Sequence, residues 1–144
     1  MNCSVARTLE IVGEWWTMLV VREAFGGVRR FDDFQSRLGI ARNVLATRLQ
    51  GLVDHGILER HLYQERPERF EYRLTERGRD LYPVLISLMR WGDKHAVGDD
   101  GPPVLLTHEP CGHDPEAALV CTSCGQQLDP REVKAELATQ APLR

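Results

Sequence analysis

No stretch of this 144-residue chain approaches the roughly 18 consecutive apolar residues that a membrane-crossing helix requires, and the amino terminus lacks the pattern of an export signal. Together these absences predict a cytoplasmic protein with no membrane span. A Walker-type glycine loop, a Rossmann fingerprint, a nucleophile elbow and a paired-carboxylate arrangement are also missing, so an enzyme is not expected. There is no surplus of positive charge either, since the formal net charge is -3. Taken whole, that balance argues against a nucleic-acid partner, because phosphate contacts need cations. Its distribution reverses the impression: residues 1–96 hold 15 Arg and Lys against 13 Asp and Glu, whereas residues 97–144 hold 3 against 8. Cysteine is scarce, with four residues, but Cys111, Cys121 and Cys124 crowd together in a chain without an export signal. That pattern favours a metal over disulfides.

What is present, 42% hydrophobic and 27% charged residues, suffices for one domain with a real core plus an appendage. The most informative stretch runs from Asp32 to Thr75. Between Ile40 and Gly56, Ala41, Leu45, Leu49, Leu52 and Val53 fall on one face of a helix, which predicts a half-buried element. Asn43, Thr47, Gln50 and Asp54 fall opposite, with Arg42 and Arg48 at the border. A short polar face flanked by arginine suits the reading of hydrogen-bonding edges in a DNA groove. Gly56 should close the helix. Two alternating runs follow, Ile57–Tyr63 with Leu58 and Leu62 sharing a face, and Arg69–Thr75 with Phe70, Tyr72 and Leu74 sharing one. The polar, proline-containing stretch Gln64–Glu68 between them predicts a hairpin with arginine at its tip. Helix, turn, amphipathic helix and basic hairpin, in that order, make a winged helix-turn-helix.

Around this centre, Cys3 to Gly13 reads as a first helix with Val5, Leu9 and Val12 on one side and Ser4 as its cap. Trp15–Phe25 is apolar nearly all round and should be the buried centre. Val28–Phe31 is a candidate third strand beside the hairpin. Asp32 or Asp33 can cap the next helix, in which Phe34 and Leu38 face inward and which Gly39 ends. Ala41 then stands where a Ser or Thr cap is preferred. Thr75 should cap a long last helix, kinked by Pro83 unless that residue falls in the first turns. Leu81, Val84, Leu85, Leu88, Met89 and Trp91 supply more apolar surface than a core of this size requires, which fits either ordinary packing or a dimer interface made by the first and last helices. The tryptophans Trp15, Trp16 and Trp91 read as structural rather than as walls of a small-molecule pocket, and His55 and His61 as solvated or core-edge histidines rather than ligands.

The combination of Trp16-Thr17, Leu19-Val20, Arg22-Glu23, Arg30-Phe31, Gly39-Ile40, Val44-Leu45, Arg48-Leu49, Gly56-Ile57-Leu58, Tyr72–Gly78 and Trp91-Gly92 resembles the HxlR-type winged-helix transcription regulators, relatives of the MarR group. The resemblance covers about residues 3 to 95. It implies a homodimer, paired through its first and last helices, that binds an inverted-repeat operator on double-stranded DNA, most often as a repressor. By position it makes Arg42–Asp54 the recognition helix, with Arg42, Asn43, Thr47 and Arg48 nearest the DNA, and it places Arg66 and Arg69 in the wing. Gln50 shares the outward face. Arginine pairs bidentately with guanine, asparagine suits adenine, and each good base contact is worth on the order of 1–3 kcal/mol of discrimination. Arg48 has a blander alternative, an ion pair with Asp32 or Glu59. Cys3 occupies the place of an oxidant-sensing cysteine in some members, although a single cysteine on an amphipathic helix also serves as a small apolar filler.

Outside that resemblance, His108-Glu109-Pro110-Cys111-Gly112 is echoed by Cys121-Thr122-Ser123-Cys124-Gly125. Each half carries a soft or imidazole donor, two spacers, then Cys-Gly. Tetrahedral zinc takes four such donors, so His108, Cys111, Cys121 and Cys124 are the candidate ligands of a structural zinc ion, with His113 competing for the fourth place. The expected architecture is α+β and mainly helical: a winged helix-turn-helix with N- and C-terminal dimerisation helices over 1–96, a linker over 97–104, a zinc-ribbon-like Cys/His module over 105–128 and a charged tail over 129–144 with a short helix. Two rival functions remain open in the sequence, a metal- or thiol-redox-responsive sensor triggered by the cysteines and a winged-helix protein-interaction adaptor without specific DNA binding.

Overall fold

Three leucines one helical turn apart set the architecture. In the computed structural model, which describes residues 2–138, Leu45, Leu49 and Leu52 are fully buried in a cluster with Val20, Val21, Phe34, Ile57 and Leu58. Full burial of an aliphatic side chain stabilises by about 1.5–3 kcal/mol. The chain separates into two compact units, Met1–Ala96 and Val97–Arg144.

The first unit runs α1 (Ser4–Val12), α2 (Trp15–Phe25), α3 (Phe31–Leu38), α4 (Arg42–Asp54), β1 (Leu58–Glu65), β2 (Glu68–Leu74), α5 (Glu76–Arg79) and α6 (Tyr82–His95). The helix-turn-helix and the hairpin therefore stand where the sequence puts them. In α1 the cap is Cys3 rather than Ser4, which is already helical and whose carbonyl accepts a bond from Thr8 Oγ1. Val12 is buried, but Val5 and Leu9 are exposed. The Glu14 carboxylate caps α2 by accepting from the Trp16 backbone N–H at 2.9 Å. This helix is less enclosed than its composition predicts, because Trp15 lies 75% exposed.

Helix α3 starts two or three residues earlier than a cap at Asp32 or Asp33 would place it. Arg30 holds the cap position without a side-chain bond, and both aspartates lie in the first turn, where they face the positive end of the helix dipole. That early start also shortens the candidate strand at Val28–Phe31 to a single bridge, Arg30 to Glu71. Gly39, at φ 64°, closes α3 in the left-handed conformation. Helix α4 has Ala41 at its cap position, which provides no side-chain acceptor and is exposed rather than inward-facing. It ends in a Schellman motif: Ile57 N–H reaches the Leu52 carbonyl at 2.9 Å, and Gly56, at φ 71°, donates to Val53 at 3.0 Å.

Strands β1 and β2 pair antiparallel, with an irregularity between Leu62 and Gln64. Leu58 is buried and Leu62 is not, so the two do not share an environment. The ladder carries Leu62 out along the wing, away from the leucines of α4. After β2, Thr75 caps α5 by accepting from the Gly78 N–H at 3.0 Å, and its hydroxyl donates to the Gly56 carbonyl. The single long helix expected here is two helices, and Pro83 sits in the first turn of α6, where its missing N–H would be unsatisfied in any case.

In the second unit the described residues show turns and two single-residue bridges, His108 to His113 and Val120 to Gln127. The helix expected in the tail is not seen over 129–138, where Pro130 and Arg131 form a turn; residues 139–144 lie outside the described residues.

Buried Gly78 packs so closely on the β1 entrance that an added Cβ would overlap the Ile57 carbonyl oxygen. Gly78→Ala is therefore expected to destabilise the first unit by about 1–3 kcal/mol, read as a lowered midpoint in thermal unfolding. A midpoint equal to wild type would show that this junction yields without strain.

Candidate nucleic-acid interface

With the leucines of α4 turned inward, Asn43, Thr47 and Gln50 are necessarily turned out, and all three are exposed. The Thr47 hydroxyl donates to the Asn43 carbonyl at 3.0 Å, and the Gln50 amide donates to the Asp54 carboxylate at 2.8 Å. The Thr47 hydroxyl is thus occupied by its own helix, whereas the Asn43 amide has no such tether among the described hydrogen bonds. At the start of the helix Arg42 lies over the Phe31 ring, 4.6 Å from its centroid, and reaches Asp32 at 3.1 Å and Gln35 at 3.2 Å. Two exposed partners and an aromatic floor hold this guanidinium beside the polar face without hiding it.

Arg48 is placed differently. It is partly buried, and its Nε stands 3.0 Å from the Glu14 carboxylate, so it ties α4 to the head of α2. Its partner is neither Asp32 nor Glu59. Sequence alone missed Glu14 because the pair spans 34 positions and three elements.

Arg66 and Arg69 are exposed at the tip of the hairpin. The Gln64 amide shapes this tip by donating to the carbonyls of Arg66 and Pro67 at 3.3 and 3.2 Å. Between the wing and the start of α3 lies a cleft of about 490 Å³, with Arg30, Arg42 and Arg69 among its walls. Arg30 lies 4.2 Å from the centroid of Tyr63, and Arg60 lies 4.6 Å from that of Phe70. Such stacked arginines keep their charge exposed while losing freedom. Arg30, Arg60 and Tyr63 were not singled out from the sequence, although the cation and aromatic alternation of β1 and β2 carries the signal.

Residues 11–100 match the HxlR-like helix-turn-helix family. The chain belongs to that family. It is 49% identical over 133 residues to the HTH-type transcriptional regulator Rv3095 of Mycobacterium tuberculosis, an alignment covering 92% of this chain and 84% of that one. Among solved structures, PA1607, described as a candidate transcription factor, superposes with a TM-score of 0.84 at 37% identity over 94% of both chains. The redox regulator HypR in its oxidised form superposes at 0.61 with 31% identity, covering 67% of this chain and all of that one. The protein is accordingly a transcriptional regulator of the HxlR type rather than an enzyme. The match to Rv3095 is too long to end at residue 100, where the family match stops, so it includes part of the second unit.

Two features of this HxlR-like chain lie off the polar face. Cys3 is partly exposed at the head of α1, a free thiol. Val5 and Leu9 on α1, and Tyr82, Val84, Leu88 and Trp91 on α6, are exposed apolar side chains, with Trp91 65% accessible. Trp91 therefore does not fill this chain's own core. His61 pairs with Glu59 on the exposed wing, as a solvated histidine would.

In the second unit His108 Nδ1 lies 3.3 Å from Cys111 Sγ. Hydrogen bonds from the Cys124 and Ser123 backbone lower the Cys121 thiol below its ordinary range. Among the described residues no group of three or more His, Cys, Asp or Glu side chains is placed to hold a metal ion.

Glu71 fastens the wing to α3. Its carboxylate takes a 3.0 Å bond from Arg73 and lies 3.6 Å from Arg30, while Tyr72 N–H bonds the Arg29 carbonyl at 2.7 Å. The Arg73 hydrogen bond first, then the Arg73, Arg30 and Arg29 charges, hold the Glu71 carboxyl below the usual carboxylate range. A depressed folded-state pKa contributes stability that is present above that range and lost as pH falls through it. Glu71→Gln should thus unfold more readily than wild type near neutral pH, with the gap closing as the solution is acidified below about pH 4. Parallel melting curves that stay equally separated at every pH would show that Glu71 does not act through its charge.

Proposed function

We propose that this protein binds an inverted-repeat operator as a homodimer and represses transcription there. The observation that carries the reading is the exposure of Asn43, Thr47 and Gln50 on one face of a helix whose other face is fully buried, with Arg42 at its start and Arg66 and Arg69 on the adjoining wing. Arg42 and Asn43 would contact base edges or the nearest phosphates, and Thr47 would offer its methyl group to thymine. Gln50 lies farther along the same face. The wing arginines would add affinity with little sequence choice. Arg48 would fix the angle of α4 through Glu14 and present the exposed third of its side chain to a phosphate. Apolar side chains on α1 and α6 would meet their copies in a second chain, setting two recognition helices about one DNA turn apart.

Selection of bound genomic fragments followed by gel-shift titration at several salt concentrations tests this. Asn43→Ala is expected to relax base preference at its position, a change on the order of 1–3 kcal/mol. Arg66→Ala should leave the preferred site intact and reduce the salt slope by about one. Leu88→Asp should give a monomer in sedimentation and lose tight operator binding. Weak, sequence-blind DNA affinity in wild type would instead point to a protein-binding adaptor.

A second reading is favoured by the likeness to HypR, whose name marks it as a redox regulator. In this reading Cys3 would report oxidant at the head of α1. Mild oxidant should then change operator affinity in wild type and leave Cys3→Ser unaffected; an equal response in both would remove Cys3 from the mechanism.

A further inference from the structure

The second unit contains one backbone loop built twice. In the first copy the His108 N–H donates to the His113 carbonyl at 2.8 Å and the Gly112 N–H to the His108 carbonyl at 2.7 Å. In the second the Cys121 N–H donates to the Gln126 carbonyl at 2.8 Å and the Gly125 N–H to the Cys121 carbonyl at 2.7 Å. Gly112 and Gly125 adopt the same left-handed conformation, at φ 72° and 76°. Only glycine adopts it readily, so the geometry of the turn accounts for the glycine of each Cys-Gly pair and leaves the cysteine to be explained by another role. The matched positions are His108 with Cys121, Cys111 with Cys124, and His113 with Gln126.

We propose that these two loops are the halves of a structural zinc site, with His108 and Cys111 from one and Cys121 and Cys124 from the other. Three thiolates and an imidazole form a donor set suited to tetrahedral zinc, whereas magnesium and calcium require oxygen donors. In each loop the first donor and the cysteine three positions later lie on one turn, and His108 Nδ1 already stands 3.3 Å from Cys111 Sγ. The repeat favours His108 over His113: His108 matches the donor Cys121, whereas His113 matches Gln126, which is not a zinc ligand, and each of these two residues accepts the main-chain bond that closes its turn through its backbone carbonyl. The two pairs are preformed separately, and the metal would bring them together through the connecting residues 113–120. Its binding would provide ordering energy to a segment without buried apolar side chains among its described residues. A disulfide between Cys121 and Cys124 would account for one loop and leave its twin at His108 and Cys111 without a purpose.

The test uses the full-length protein, purified without chelator and analysed for metal, then stripped and refilled with cobalt(II). About one zinc per chain is expected, with the intense visible bands and thiolate charge transfer of tetrahedral cobalt after exchange. Cys121→Ser combined with Cys124→Ser should reduce bound zinc to below about a tenth of that, and His108→Ala should abolish the tetrahedral cobalt spectrum. His113→Ala should retain both. The helical circular dichroism of the first unit, which these positions do not enter, verifies that each variant is folded. Absence of stoichiometric zinc from wild type even after reconstitution, an octahedral cobalt spectrum, or loss of metal in His113→Ala with retention in His108→Ala would each overturn the proposal.

Discussion

The packing of α4 through Leu45, Leu49 and Leu52 is the constraint on which the first unit depends. These side chains meet Val20, Val21, Phe34 and Leu58, so one helix touches the products of three other elements. Because a helix has a fixed period, burying one face leaves no freedom in the other. Rotation of α4 by a single residue would expose leucine and bury asparagine, threonine or glutamine without partners, a penalty of a few kcal/mol for each polar group. The outward polar strip is therefore enforced by the core beneath it.

The wing is held by a different kind of bond. Its hairpin has only two strands and little buried apolar surface, and such ribbons are marginal by themselves. Main-chain bonding at Arg29 and Arg30 and the Glu71 carboxylate between Arg30 and Arg73 replace a third strand. Here the Glu71 carboxylate is half-buried while its arginine partners are exposed, so one acidic side chain serves both contacts.

Much of this was legible from local chemistry. Period-3.6 spacing located α4, alternation located the hairpin, and the left-handed glycines Gly39 and Gly56 marked where helices stop, because each signal acts over a few residues. What escaped was set by tertiary contact. The caps at Cys3 and Arg30 replaced Ser4 and Asp32 or Asp33 because the chain enters those helices from directions the sequence does not encode. Leu62 alternates correctly but leaves the core because the ribbon outruns the helix beneath it. Arg48 looked like its neighbour Arg42, and only the fold brings Glu14 to it. The exposure of Trp15 was hidden for the opposite reason: composition records that a residue is apolar, not whether its own chain covers it, and for Trp91 the same limit left packing and an interface equally open. In the second unit the spacing of the Cys and His residues was plain in the sequence, while the matching backbone hydrogen bonds of the two turns were not.

Glu14 serves two helices through one atom. The same carboxylate oxygen, Oε2, accepts from the Trp16 N–H and the Thr17 hydroxyl at the start of α2 and forms an ion pair with the Arg48 guanidinium of α4, 3.0 Å from its Nε. It follows directly after Gly13, where α1 ends. Loss of the Glu14 carboxylate would therefore remove the cap of α2 and the counter-ion of Arg48 together, because both depend on the same oxygen.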